Sequence, residues 1–274
     1  MKRRIKPIFL NMFIVILFLF LIFITYGNIV GISNDKVNSN NNIEINLLNS
    51  ENLTLTQLMM QTSNICNRGP RPKPEKIAYI TIDDGPSKYT NDILKILNKN
   101  NVKATFFMVE GNMKKYQESL KIMANQKHAL GFHSVSHDIN ILYKTPESAV
   151  NEFDKCKKTL EEITNQKSNL IRLPYGSKPY ASKEDYDALV NAGYKIWDWN
   201  LDTEDWRATP KDIVDNVAKY SGQHKEIVLL MHEKEQSVKA LQGIIDVLKS
   251  KGYTILPIDE RDTPKNYWEQ NLTN

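Results

Sequence analysis

The chain has 274 residues, is 41% hydrophobic and 25% charged, and carries a formal net charge of +4. That is the composition of an ordinary globular protein, long enough for one sizeable domain with additions. Part of the positive charge sits at the start and the rest is interspersed with acids, so nucleic acid is excluded as an expected partner. A mild attraction to an anionic polymer is all that the charge supports.

The amino terminus opens with a basic cluster, Lys2-Arg3-Arg4 and Lys6, followed over residues 8–26 by an apolar run broken by Asn11 and Thr25. About 19 residues at about 1.5 Å each form a helix just long enough for a bilayer core. Basic residues ahead of it place the amino terminus in the cytoplasm and the remainder outside. A signal peptide has an apolar core of about 7–15 residues and a small-x-small cleavage site. This run is longer, and Gly31-Ile32-Ser33 matches such a site poorly. Residues 1–30 therefore read as a transmembrane anchor, or a signal segment if cleaved. The expected location is the cell membrane, single-pass, with the rest of the chain extracellular, or secreted after cleavage.

Residues 31–75 read as a stalk. Asn38-Ser39-Asn40-Asn41-Asn42 is polar and aperiodic, and Arg68-Gly69-Pro70-Arg71-Pro72-Lys73-Pro74 favours extended chain. Between them, residues 47–60 have the pattern of a short amphipathic helix with no assigned purpose. A stalk gives an anchored enzyme the reach to meet a polymer above the membrane.

From residue 76 to 274, strand and helix patterns alternate. An apolar, β-rich run over 77–82 leads to a helix over 91–100 carrying Ile93, Leu94, Ile96 and Leu97. A strand over 104–109, a helix over 113–125, a short strand over 130–133 and a helix over 146–164 follow, the last with Pro146 in its first turn. Strands over 170–173, 196–201, 227–231 and 254–258 then alternate with helices over 183–192, 210–220 and 238–251. Gly193 and Gly252 follow helices at the position of a left-handed cap. Cys156 shares a helical face with Phe153, Leu160 and Ile163 and reads as a core thiol; a disulfide to Cys66 stays open. The alternation implies an α/β fold, a parallel sheet of about seven strands closed or nearly closed into a barrel.

The polar clusters fall at the carboxyl ends of these strands, the rim where α/β folds place active sites. Asp83 and Asp84 end the first strand, and Gly85-Pro86 supplies the turn that lets two adjacent carboxylates reach one site. Two such carboxylates repel unless a cation or proton joins them. His133 and His137 are spaced so that, on a helical turn, both imidazoles face one metal. With an Asp, they make a three-ligand set with room for water, the composition of a catalytic zinc site; cobalt or nickel also fits. Arg172 ends another strand, where a guanidinium can pair with Asp83. Asp205 and Trp206 close the strand over 196–201, and a rim tryptophan offers an apolar wall to a sugar face or methyl group. Trp197 and Trp199 lie within that strand and read as core or supporting residues. His232, with Asp205 as a partner, suits a general acid. His128 and His224, in polar stretches expected to be exposed, are assigned no chemistry.

Five segments in this order, 81–86, 133–137, 172–175, 202–206 and 230–232, resemble the motifs of NodB-type polysaccharide deacetylases of carbohydrate esterase family four. The resemblance spans residues 77–258. It implies a distorted (β/α) barrel, a divalent metal, a glycan polymer as partner and removal of acetyl groups from an amino sugar, with N-acetylglucosamine of peptidoglycan favoured. Carried onto this chain, it makes Asp83 the base and Asp84, His133 and His137 the metal ligands. Arg172 orients Asp83, and the Tyr175 N–H holds the oxyanion. Trp206 and Leu230 line the acetyl pocket, and His232, tuned by Asp205, is the acid. Phe132 stands where the family commonly has asparagine and Leu173 where it has proline, which bears on local packing and substrate fit. An O-acetyl esterase, a chitin-oligosaccharide deacetylase or an inactive glycan-binding barrel are the alternatives, and a monomer is expected.

Overall fold

The computed structural model describes residues 74–272, which lie in one unit, Lys73–Asn274. The anchor, the stalk, the helix over 47–60 and Cys66 fall outside the described residues. Among the described residues no helix is long and apolar enough to cross a membrane.

The strands are β1 (Ile77–Gly85), β2 (Thr105–Met108), β3 (Ala129–Phe132), β4 (Leu170–Ile171), β5 (Lys195–Ile196), β6 (Leu201–Asp202), β7 (Glu226–His232) and β8 (Thr254–Ile255). The helices are α1 (Thr90–Lys99), α2 (Glu110–Lys115), α3 (Gln117–Asn125), α4 (Ile139–Leu142), α5 (Pro146–Thr164), α6 (Lys183–Asn191), α7 (Pro210–Tyr220) and α8 (Glu235–Ser250). Every strand pairing is parallel, in the order β5-β4-β3-β2-β1-β7-β6, with β8 paired to the start of β1. The alternation implies a parallel sheet of about seven strands closed or nearly closed into a barrel; the seven strands of this row are parallel and form a half-barrel, with β5 and β6 at its edges and not paired to each other. Local chemistry starts the helices where the pattern places them: Thr145, Ser182 and Thr209 cap α5, α6 and α7, and α5 and α7 open on proline.

Strand parity divides the interior in two. On β1, Ala78, Ile80 and Ile82 face the helices and join a core with Leu94, Leu97, Leu241 and Ile244. Ile77 and Tyr79 join a second cluster with Phe107, Leu170, Trp197, Val228 and Ile258, enclosed by the sheet. Thr81 and Asp83 continue that inward parity on β1, as Leu230 and His232 do on β7 and Arg172 does beyond β4. One alternating pattern thus builds the inner core and then, at the strand ends, the polar site. Cys156 is fully buried in the outer core, as its helical face implies.

Two predicted elements are divided. The helix over 113–125 is α2 and α3, separated at Tyr116, whose backbone (φ −118°, ψ 47°) leaves the helical region. The break lets α2 turn separately and bring the Asn112 amide to the Asp84 carbonyl at 2.7 Å. The strand over 196–201 is β5 and β6, consecutive in the chain yet at opposite edges of the row. Residues 197–200 cross the seam between them. Trp197 N–H bonds β4 at Ile171, Asn200 N–H bonds β7 at Val228, and Asp198 N–H bonds Lys265.

His128 is buried, contrary to the reading of its polar neighbours. Its Nδ1 accepts from the Ala104 N–H at 3.1 Å, and its ring meets Phe106 edge-on. Burial, with Lys103 nearby, pushes its pKa down to about 4. Because the folded value lies below the unfolded one, falling pH protonates the unfolded chain first. The stabilisation is whole above about pH 6.5 and disappears on the way to about 4, a change of about 3 kcal/mol. Denaturant titrations at pH 7 and 5 should show a loss of stability that is smaller in His128→Gln, the remainder including the buried His133.

Candidate active site

At the end of β1 the register slips: Asp83 pairs with Phe107 and Gly85 with Met108, leaving Asp84 as an extra residue in a bulge. Asp84 adopts a left-handed conformation (φ 70°), which turns its carboxylate to the same side as that of Asp83. This is the local device that allows neighbouring residues of a strand to share one site.

The two histidines do not lie on a helical turn. They sit in an irregular loop after β3 in which Ser134 (φ 71°) and His137 (φ 51°) are both left-handed. Glu152 of α5 holds that loop by accepting from the Val135 and Ser136 N–H groups at 2.9 and 3.0 Å. Ser134 Oγ accepts from the His137 N–H at 3.0 Å. The result still brings the rings together, with centroids 4.9 Å apart. Asp84 Oδ1 lies 3.5 Å from His137 Nε2 and 3.8 Å from His133 Nε2. One ligand atom from each of the three residues falls within 4.8 Å of the others. His133 Nδ1 donates to the Arg172 carbonyl at 2.8 Å, which leaves its Nε2 lone pair toward Asp84. Burial, aided by His137, outweighs the Asp83 and Asp84 carboxylates and lowers the His133 pKa, favouring the neutral imidazole that ligates metals. The donor set, two imidazoles and a carboxylate, fits a divalent cation such as zinc.

Arg172 is 0% exposed. Its guanidinium donates to Asp83 Oδ1 at 3.0 Å, Thr81 Oγ1 at 2.5 Å, and the carbonyls of Trp197 and Asp198 at 2.9 and 3.0 Å. Two of those partners are carbonyls of the barrel seam. The same break that divides the predicted strand therefore satisfies the buried cation. Asp83 Oδ2 remains directed to the site, 3.7 Å from His133 Nε2.

Across the site, His232 Nδ1 bonds Asp205 Oδ1 at 2.8 Å. Asp205 Oδ2 accepts from the His232 N–H at 2.6 Å and from Ser237 Oγ at 2.5 Å. Burial disfavours the Asp205 carboxylate, but these donors outweigh it and lower its pKa. Burial also disfavours the His232 imidazolium, yet the bond to Asp205 and the charges of Asp83, Asp205 and Asp84 raise its pKa above the ordinary histidine value.

Asp83, Asp84, His133, His137, Tyr175, Trp206, Leu230 and His232 together line one cleft of about 530 Å³. Arg172 and Asp205 stand behind it, each bonded to a residue that lines it. Tyr175 is left-handed (φ 63°), its ring meets His137, and its N–H donates to no protein acceptor among the described residues. Sequence reasoning missed Pro179, Tyr180 and Lys234 on the cleft wall and placed Trp199 only in a supporting role. Lys234 follows the last motif by two residues, the one signal that was available. Tyr180 and Trp199 carry none, because they reach the wall through a loop and the seam.

Residues 70–197 match the family model described as polysaccharide deacetylase. A peptidoglycan-N-acetylglucosamine deacetylase of Bacillus cereus is 35% identical over 207 residues, covering 73% of this chain and 76% of its own length. The chain belongs to the polysaccharide deacetylase family. The crystal structure of the polysaccharide deacetylase Bc1974 from Bacillus cereus superimposes with a TM-score of 0.68 at 35% identity, covering 72% of this chain and 100% of that one. The catalytic domain of a peptidoglycan N-acetylglucosamine deacetylase from Eubacterium rectale gives 0.66 at 30% identity, covering 72% and 94%. This polysaccharide deacetylase is thus an enzyme of the NodB type, carbohydrate esterase family four, with the half-barrel of that family.

Proposed function

We propose that the chain is a divalent-cation-dependent N-deacetylase that releases acetate from a cell-wall glycan, with N-acetylglucosamine of peptidoglycan as substrate. The observation that carries this reading is the cation-ligand trio of Asp84, His133 and His137 set between the buried pair Asp83–Arg172 and the pair His232–Asp205, whose imidazole is half-buried. A carboxylate poised to take a proton faces an imidazole poised to give one. Supporting the substrate, relatives at 30–35% identity carry the name peptidoglycan-N-acetylglucosamine deacetylase. The cleft also holds Lys234, whose ammonium pairs with no acid among the described residues, a match for the carboxylates of peptidoglycan.

Asp84, His133 and His137 would hold the cation, which when bound would supply a lower pKa for water and polarisation of the acyl oxygen. Arg172 occupies Asp83 Oδ1, so Oδ2 takes the proton of the attacking water. The unpaired Tyr175 N–H meets the negative charge that develops on the acyl oxygen. Trp206 and Leu230 on the cleft wall offer apolar surface to the methyl group. An amine leaves only when protonated, and His232, which Asp205 keeps cationic, delivers that proton from its Nε2. The proposal also holds the enzyme as a monomer attached to the cell membrane by residues 1–30 and displayed outside on residues 31–75.

Purified peptidoglycan should release acetate with the enzyme, stop doing so in a chelator, and resume when zinc is restored. Acetate from O-acetylated xylan, with none from peptidoglycan or chitin oligosaccharides, would replace the reading with an esterase.

A further inference from the structure

Glu233 follows His232 directly, lies 7% exposed, and belongs to none of the five motifs. Its side chain leaves the end of β7 and crosses to the turn after β1. There Oε2 accepts from Ser87 Oγ and from Thr90 Oγ1, each at 2.6 Å. Its backbone N–H reaches the Asp83 carbonyl at 3.3 Å. The other carboxyl oxygen, Oε1, is buried with no hydrogen-bond partner and lies flat against Gly85. A Cβ on Gly85 would overlap it, and Gly85 has no left-handed φ that would otherwise demand glycine. A side chain at Gly85 would therefore force the Glu233 carboxyl to move, away from its bonds to Ser87 and Thr90.

A buried carboxyl oxygen left without a partner costs free energy, so the placement calls for a compensating use. Two short bonds across the gap tie the segment that starts α1 to the strand end bearing His232. Asp83 and Asp84 lie immediately before that segment, and Asp84 needs its left-handed turn to share a site with the histidines.

We propose that Glu233 is a positioning residue that locks the turn following Asp83 and Asp84 against the strand end carrying His232. The β1–β7 ladder already pairs Asp83 with His232; Glu233 holds the chain leaving that pair, and so fixes the orientation of the Asp83 and Asp84 carboxylates. The kinetic part rests on the deacetylase reading above; the metal part does not.

The test compares Glu233→Ala, Glu233→Asp and Glu233→Gln in the full-length chain. The readouts are kcat and KM for acetate release, zinc affinity by competition with a chromophoric chelator, and thermal stability. Glu233→Ala should lower kcat at least about tenfold with KM within about threefold, and weaken zinc about tenfold, as loss of an outer support of a ligand does. Glu233→Asp, one methylene short, should resemble it. Glu233→Gln should keep kcat and zinc affinity within about threefold, because its carbonyl oxygen accepts both hydroxyls. Gly85→Ala should be severe in the native background and add less than about twofold to Glu233→Ala, since the two share one space. Should Glu233→Ala fail to fold, Ser87→Ala removes one tether and should give an intermediate loss of both quantities.

Native kcat and zinc affinity in Glu233→Ala or Ser87→Ala, with only the melting temperature lowered, would reduce Glu233 to a structural residue. Equal damage from Gly85→Ala in both backgrounds would remove the contact itself. A wild-type chain that releases no acetate from any N-acetylated glycan would overturn the deacetylase reading, and the zinc measurements would still decide the role of Glu233.

Discussion

Asp83→Asn is expected to reduce acetate release by about 10³-fold or more while zinc binding persists. Loss of a positioned general base costs about 10²–10⁴ in rate, and the amide cannot take the proton of the attacking water. The ligand trio excludes Asp83, so zinc titrated by chelator competition should bind with little change. A second effect follows from burial. Arg172 is fully enclosed, and Asp83 is its carboxylate partner. Neutralising one member of a buried pair costs about 3–5 kcal/mol when nothing replaces it. Here the asparagine carbonyl and the Thr81, Trp197 and Asp198 oxygens still accept from Arg172, so the lower end of that range is expected. Activity must therefore be measured per folded molecule. Retention of full activity would remove Asp83 from the role of base.

His232→Ala is expected to lower kcat by about 10²–10⁴ on an N-acetylated glycan, since an amine leaves only with a proton. The same variant should cost an O-acetyl substrate far less, because an alkoxide needs less help. Asp205→Asn separates the proton from the ring. Burial opposes the charged imidazole, and Asp205 with the other nearby carboxylates overcomes it, placing the His232 pKa above the usual histidine value. Activity that needs the imidazolium is therefore full below that pKa and lost as pH rises through it. Removing the Asp205 charge should move the alkaline limb of the rate profile toward lower pH, and a limb that stays in place would show that another group controls it. The same linkage acts on stability: the raised pKa makes the His232–Asp205 pair most stabilising at lower pH and progressively weaker as pH rises through it.

Much of the site was legible because each polar cluster ends a short apolar run, and the structure adds strand parity to that reading. Thr81 and Asp83, Leu230 and His232, and Arg172 beyond Leu170 all extend alternating patterns whose earlier members pack the inner core. His133 and His137 were legible as a pair but not as a geometry. Their spacing suggests a helical turn, whereas the loop uses two left-handed residues and the distant carboxylate of Glu152. Residues 196–201 read as one strand because Ile196, Trp197, Trp199 and Leu201 recur through it with no glycine or proline between them. Only closure of the row reveals that they must bridge its two edges. His128 was misjudged for a related reason, since polar neighbours in sequence say nothing of the Phe106 ring and the Ala104 amide that enclose it.

Spacing along the chain determined by itself the strand–helix order and the chemistry at each strand end. Tertiary structure alone decided the bulge that turns Asp84, the seam carbonyls that hold Arg172, the cleft wall of Tyr180, Trp199 and Lys234, and the reach of Glu233 to Gly85. The physical reason is that periodicity is set by neighbouring residues. Left-handed turns, barrel seams and buried hydrogen bonds are set by partners dozens of positions away, which exist only once the sheet has formed.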